Sequence, residues 1–351
     1  MSPSSRAGRA AWARRAGPGG WGALALVGLL AAAAAACATG PDTIGAGPRA
    51  PVASLAPSDA DLFALVPAGP RLVFEVDLAV VHGSLWTAGL LASGTATDAI
   101  GRANQRAALG YDDATDVDRM VYALTVLDAS RPTLVIAQGR FAPAQVEEAF
   151  RARWAGARVT VRRGISVLVE GEDSLAFITP RTFVSGPPAE VLAAVDRAFG
   201  VGDALAADPG LGPLWRALST SVDVSSGGPA LRGVASLDAV VRARMATVLA
   251  VPVAVTHVGL RVDLGQELEL GVLALTADRS AAGALARAWS ATARAPQVRR
   301  LAGTLGLGAL LGGLSIGADG ARVHVTSRID ESQRPDMTQA LRAILAQLRG
   351  G

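Results

Sequence analysis

The 351-residue chain contains no lysine, one cysteine (Cys37), one asparagine (Asn104) and three histidines, and its aromatics are 7 Phe, 6 Trp and 2 Tyr. Without lysine there can be no Walker-type phosphate loop, whatever the glycines of 303–313 suggest. One cysteine excludes a disulfide scaffold. His82, His257 and His324 are scattered, and none has a second His or Cys at ligand spacing, which argues against zinc. The missing lysine and near-missing asparagine fit a GC-rich genome rather than a chemical choice. What is abundant is apolar: half of the chain, with 40 glycines. That excludes a disordered chain and, with no repeating glycine period, a collagen. The length suits one or two domains.

The first 36 residues read as an export signal. Arg6, Arg9, Arg14 and Arg15 make a positive start with no acid among them, and Gly22–Ala36 is an uncharged apolar run. A hydrophobic core that short suits a signal peptide better than a permanent span. It ends at Ala34-Ala35-Ala36-Cys37, followed by Ala38-Thr39-Gly40. This resembles a bacterial lipoprotein signal, in which small residues precede a cysteine that becomes the lipidated first residue. Ala34 departs from the pattern, which prefers leucine there. Twin-arginine export through Arg14-Arg15 and plain cleavage after the A-x-A are the other readings. The resemblance implies lipidation at Cys37 and residence in the cell envelope, anchored at the outer membrane and facing the periplasm. A lipoprotein cysteine carries two or three acyl chains, and at about 0.8 kcal/mol per buried CH₂ that number holds a protein stably where one chain does not.

The formal charge is +3, from 33 basic and 30 acidic residues. Four arginines leave with the signal, so the mature chain has 29 basic against 30 acidic residues. The pI of 9.9 therefore reflects arginine and the leader. A near-neutral body has no electrostatic footprint for nucleic acid.

The remainder predicts an α+β fold in two similar halves, each a mainly antiparallel sheet with helices packed on one face. Residues 37–57 read as a Gly/Pro/Ala-rich tether. The first repeat spans 58–200. It opens with a short helix from Ser58-Asp59, then a strand over 71–78 and a helix from Ala79-Val80-Val81. Strands over 117–127 and 131–141 turn at Asp128-Ala-Ser130, and a helix from Ala142-Pro143 to Trp154 follows. Short strands over 158–186 turn at Gly164 and Gly171-Glu-Asp173, and a helix from Pro187-Pro188 to Phe199 closes the repeat. A connector is expected over 201–229. The second repeat, 230–351, offers a strand to Leu237, a helix from Asp238, a hairpin over 258–277 and a helix from Arg279 to Trp289. A hairpin over 315–329 and an amphipathic helix over 335–348 complete it. The uncharged stretch 301–318 reads as a packed interior segment. Leu65-Val-Pro-Ala68 to Asp77-Leu78, with Gly83-Ser-Leu-Trp86, resembles a recurring opening of uncharacterised secreted bacterial proteins, which implies no activity.

Candidate chemistry is thin. Gly313-Leu-Ser315-Ile-Gly317 matches a nucleophile elbow, but the elbow needs a strand before and a helix after its serine. A turn at 318–320 would set Ser315 opposite residue 323 or His324, with no carboxylate to orient the imidazole. Asp112, Asp113, Asp116 and Asp118 fail the calcium-loop pattern, having Val117 at position six and Ala123 at position twelve. Trp86, Trp154, Trp215 and Trp289 read as core anchors. Glu75, Asp77 and Arg140 read as strand-end residues that nothing in the sequence pairs. No catalytic, metal or cofactor-binding residue is named, and no cofactor is expected. The expected function is that of a non-enzymatic, membrane-anchored protein that binds an envelope partner or supports the envelope. Binding of a lipid or other apolar ligand is the alternative, and a serine hydrolase using Ser315 a more distant one.

Overall fold

The computed structural model describes residues 62–87, 106, 109–125, 134–153, 156–220, 229–239, 242–243, 255–304 and 306–340. The signal, Cys37, the tether, the Ser58-Asp59 helix start, the Asp128–Ser130 turn, Trp154 and the end of the last helix lie outside them. The described residues fall into two compact units, one within Pro41–Ser236 and Gly259–Gly265, the other within Leu237–Val258 and Gln266–Gly351. Both mix helix with antiparallel sheet.

In the first unit a 3₁₀ turn, Leu62–Leu65, precedes β1 (Leu72–Asp77), α1 (Leu78–Gly83) and α2 (Asp113–Asp116). Next come β2 (Val117–Leu124), β3 (Leu134–Gly139), α3 (Pro143–Arg153) and the meander β4 (Arg158–Arg162), β5 (Ile165–Glu170), β6 (Asp173–Thr179) and β7 (Thr182–Gly186). Then follow α4 (Pro188–Ala198), a 3₁₀ turn at Leu205–Ala207, α5 (Leu211–Thr220) and β8 (Leu231–Ser236). The strands lie in the order β8-β1-β2-β3-β7-β6-β5-β4. Every pairing between them is antiparallel.

Local chemistry sets the turns. Arg163 and Gly164, between β4 and β5, both have positive φ, the primed geometry that matches strand twist. Asp77 ends β1 and caps α1, its Oδ1 accepting from the Val80 N–H at 2.9 Å. Pro188 sits at the start of α4, which buries Val191, Ala194 and Val195.

Stretch 201–229 is not a bare connector. Leu211, Leu214, Trp215 and Leu218 recur at helical spacing, and α5 buries all four. Asp208-Pro-Gly210 starts this helix: Asp208 Oδ1 accepts from the N–H groups of Gly210 and Leu211 at 2.9 and 2.7 Å.

β9 (Val255–Leu264) contributes residues to both units. The second unit holds β10 (Leu268–Thr276), α6 (Arg279–Arg294), α7 (Pro296–Thr304), α8 (Gly308–Gly312), β11 (Leu314–Asp319) and β12 (Arg322–Ile329). β12 lies between β11 and β10, antiparallel to each. Along β12 the residues alternate strictly between exposed and buried. Its inner Val323 and Val325 pack with Ala274, Ala282, Leu285 and Ala286. Asp278 caps α6, accepting from the Ala281 N–H at 2.8 Å. α6 runs past Trp289, because nothing in Ser290–Ala293 stops a helix before the proline at 296.

Residues 301–318 are not an interior segment. They end α7, form α8 and enter β11, burying Ala302, Leu307 and Leu310 while Gly303, Gly308, Gly312 and Gly317 are exposed. No helix among the described residues is long and apolar enough to cross a membrane.

Candidate functional site

The polar centre of the first unit is on β1. Glu75 lies mid-strand, not at a strand end, with Val73, Phe74 and Val76 buried around it and 3% of its own surface exposed. A buried carboxylate is tolerable only when paired. The register supplies the partners. Glu75 is directly opposite Arg232 of β8, and Arg119 of β2 is opposite Asp77, one diagonal step away on the same face. Arg119 Nε donates to Glu75 Oε1 at 2.9 Å, and its terminal nitrogen donates to the same oxygen. Arg232 Nε donates to Oε2. Both oxygens of Glu75 are thereby occupied by guanidinium groups.

Arg232 also joins sheet to helix. Its guanidinium carbon lies 4.4 Å from the centroid of the Trp215 ring and 4.7 Å from that of Phe63, and the two rings are 4.0 Å apart. Stacking of this kind contributes about 0.5–2 kcal/mol, more as water is excluded. Its terminal nitrogen donates to Ser219 Oγ on α5. The buried Arg261 grips Asp263 through two bonds of 2.6 and 2.8 Å and donates to the Leu218 carbonyl at 2.7 Å. A cation there satisfies an end-of-helix carbonyl and complements the helix dipole. The seat is tight. A Cβ on Gly259 would lie 2.8 Å from Leu218 Cδ1 and 3.2 Å from Leu214 Cγ.

Burial pushes the Asp77 carboxyl above its usual range, against the Val80 N–H and Arg119, which favour the charged form. Of the aspartates around α2, Asp116 and Asp118 are engaged in ion pairs. Burial works to raise Asp116, but Arg106, the Asp112 N–H and Thr115 outweigh it and hold the carboxyl low. Asp118 pairs with Arg181 at 3.2 Å and with Arg140 at 3.5 Å, so Arg140 does have a partner. Among the described residues no group of three or more His, Cys, Asp or Glu could hold a metal.

Ser315 and His324 do not face each other. The hairpin turns at Gly320-Ala321, which places Ser315 opposite Thr326 and His324 opposite Gly317. The reason is a late pivot: β11 extends through Asp319, which is paired with Arg322. Ser315 and His324 are both exposed. Of the tryptophans, Trp86 and Trp215 are buried, as core anchors should be, and Trp289 is half-buried against the second unit's core.

No protein-family model matches the sequence, and the comparison with curated proteins finds no match. Among solved structures the chain is similar to TP0453 in several crystal forms. For form III the TM-score is 0.44 at 11% identity, over 81% of this chain and 99% of that one. For form I it is 0.42 at 11%, over 81% and 98%. For form IV it is 0.44 at 12%, over 79% and 96%.

Chemically, the Glu75 cluster is a closed network. With its carboxylate doubly occupied and Arg232 held against two rings, it fixes β8, β1, β2 and α5 to one another. Sequence reasoning missed it because the three charges are far apart in the chain. The available signal was a charge inside each of three largely apolar strands: Glu75 in Leu72–Asp77, Arg119 in Val117–Leu124 and Arg232 in Leu231–Ser236.

Proposed function

We propose that the protein is a membrane-anchored envelope lipoprotein, lipidated at Cys37, whose α+β body binds an envelope partner or supports the envelope without catalysing a reaction. One observation carries the reading: the only cysteine stands directly after an Arg-led, uncharged apolar run ending in six alanines. The saturated Glu75 network is consistent with a scaffold rather than a reaction centre. The same reading takes the body as two similar halves, 58–200 and 230–351. Its support is the repeat of Ala79-Val80-Val81 after β1 as Ala239-Val240-Val241 after β8.

Globomycin treatment should leave a diacylglyceryl precursor uncleaved, and Cys37→Ala should move the protein into the soluble fraction at high salt. A Cys37→Ala form that still sediments with membranes at high salt would show that the anchor lies elsewhere. A fluorophosphonate reagent should not label the protein, whereas labelling that disappears in Ser315→Ala would establish hydrolase chemistry.

A further inference from the structure

Charge is unevenly distributed along the mature chain. Between Asp278 and Asp319 there is no acidic residue, yet Arg279, Arg287, Arg294, Arg299 and Arg300 all fall there. Removing these 5 from the 29 basic residues of the mature chain leaves 24 against 30 acidic ones elsewhere. A basic segment thus sits in an otherwise acidic body. Composition bias does not account for it, because a genome rich in arginine codons would scatter them.

The structure puts these charges on two consecutive helices in contact with each other. α6 carries Arg279, Arg287 and Arg294, α7 carries Arg299 and Arg300, and the two helices pack on each other. At about 100° per residue, positions 279, 287 and 294 fall within an arc of about 80°. They lie to one side of the face that buries Ala282, Leu285 and Ala286. All five arginines are exposed, and none forms an ion pair among the described residues. The contrast with residues 149–169, also acid-free and also carrying five arginines, is informative. There Arg162 and Arg163 are both neutralised by Asp196.

We infer that the arginine face of α6 and α7 docks on an anionic phospholipid bilayer. Guanidinium groups pair bidentately with phosphate oxygens, which suits lipid phosphodiesters. Between the arginines the exposed positions are small, such as Ser280, Ala284 and Ala291, so the headgroups can approach closely. The bilayer as occupant rests on the Cys37 reading: residues 38–57 can reach at most about 70 Å, so an anchored body is confined near a membrane. The charge complementarity itself does not depend on lipidation.

The test therefore removes the lipid. The mature chain from residue 37, carrying Cys37→Ala, is sedimented with vesicles of phosphatidylcholine containing phosphatidylglycerol, and with phosphatidylcholine alone. It is compared with the same chain bearing Arg→Gln at 279, 287, 294, 299 and 300. Binding should require phosphatidylglycerol, weaken as salt rises, and fall by about a hundredfold or more in the fivefold variant. A variant with only Arg299→Gln and Arg300→Gln should lose about tenfold, which keeps the test valid if five changes perturb folding. Equal binding to both vesicle types, or unchanged binding in the variants, overturns the inference. Arginine-dependent retention by immobilised polyglutamate without vesicle binding also overturns it, in favour of an acidic protein partner. Failure of this assay leaves the globomycin result untouched, and the reverse holds too.

Discussion

The two units solve the placement of charge in a sheet differently. In the first, β3 is buried at all six positions, and β1 at its four central ones. A strand covered on both faces has no solvent side for a charged residue, so Glu75 must meet Arg232 and Arg119 within the sheet. In the second unit β12 alternates: Arg322, His324, Thr326 and Arg328 face water while Val323, Val325, Ser327 and Ile329 face inward. There the charges of β12 stay in solvent, and Arg328 meets Glu269 of β10 at 3.4 Å without itself being buried. The first unit is therefore specified by cross-strand register, the second by periodicity.

The sharpest way to break this contrast is Glu75→Ala. It would leave Arg232, held against Phe63 and Trp215 with 12% of its side chain exposed, without its counter-charge, which costs about 3–5 kcal/mol. Urea unfolding should show that loss, and replacing Glu75, Arg119 and Arg232 together by leucine should recover most of it. If Glu75→Ala costs under about 1 kcal/mol, the network is not what holds β8 to β1. In the second unit the corresponding largest effect is apolar. Leu285 is packed against Val323, Val325 and Ala274. Leu285→Ala should cost about 2–4 kcal/mol through the cavity it leaves, again read by urea unfolding. Arg328→Gln, which removes the exposed half of the Glu269 pair, should cost under about 1 kcal/mol in the same measurement.

These contrasts also explain what could be read from the sequence. Arg322-Val-His-Val-Thr-Ser-Arg-Ile329 displays its period of two directly, and the helices of α3, α4 and α6 announce themselves by apolar spacing and by proline or aspartate at their starts. The turns at Gly164, Gly171 and Gly320 were equally visible. The Glu75 site was not, because its meaning depends on which strands flank β1, and a strand order of β8-β1-β2 joins residues 44 and 157 apart. Ser315 failed by a small margin: a pivot read at 318–320 instead of Gly320-Ala321 moved the register by about two residues, enough to exchange His324 for Thr326.

Ser327 tests the one breach in the alternation of β12. It is a polar residue at an inward position, and its Oγ donates to the Leu310 carbonyl of α8 at 2.6 Å. Ser327→Ala should cost about 1 kcal/mol, the net contribution of a buried hydrogen bond plus the unsatisfied carbonyl. A Ser327→Ala protein as stable as the parent would mean that water reaches that carbonyl.

The smallest effect concerns Asp196, the ion pair that separates the two arginine-rich segments. Arg162 reaches both carboxylate oxygens, with Nε at 3.0 and 3.1 Å, and Arg163 Nε lies 2.6 Å from Oδ1. Arg162 first, and Arg163 second, lower the carboxyl from 3.8 to about 2. Because the folded value lies below the unfolded one, the stabilisation is complete above about pH 4 and is lost as pH falls towards 2. The arginines are largely exposed, so salt screens the pair and the loss is small. A carboxyl ¹³C titration should place the Asp196 midpoint near 2, and Asp196→Asn should flatten the decline in urea midpoint between pH 4 and 2. A midpoint near 3.8 would instead mean that Arg162 and Arg163 are as unpaired in solution as the arginines of α6 and α7.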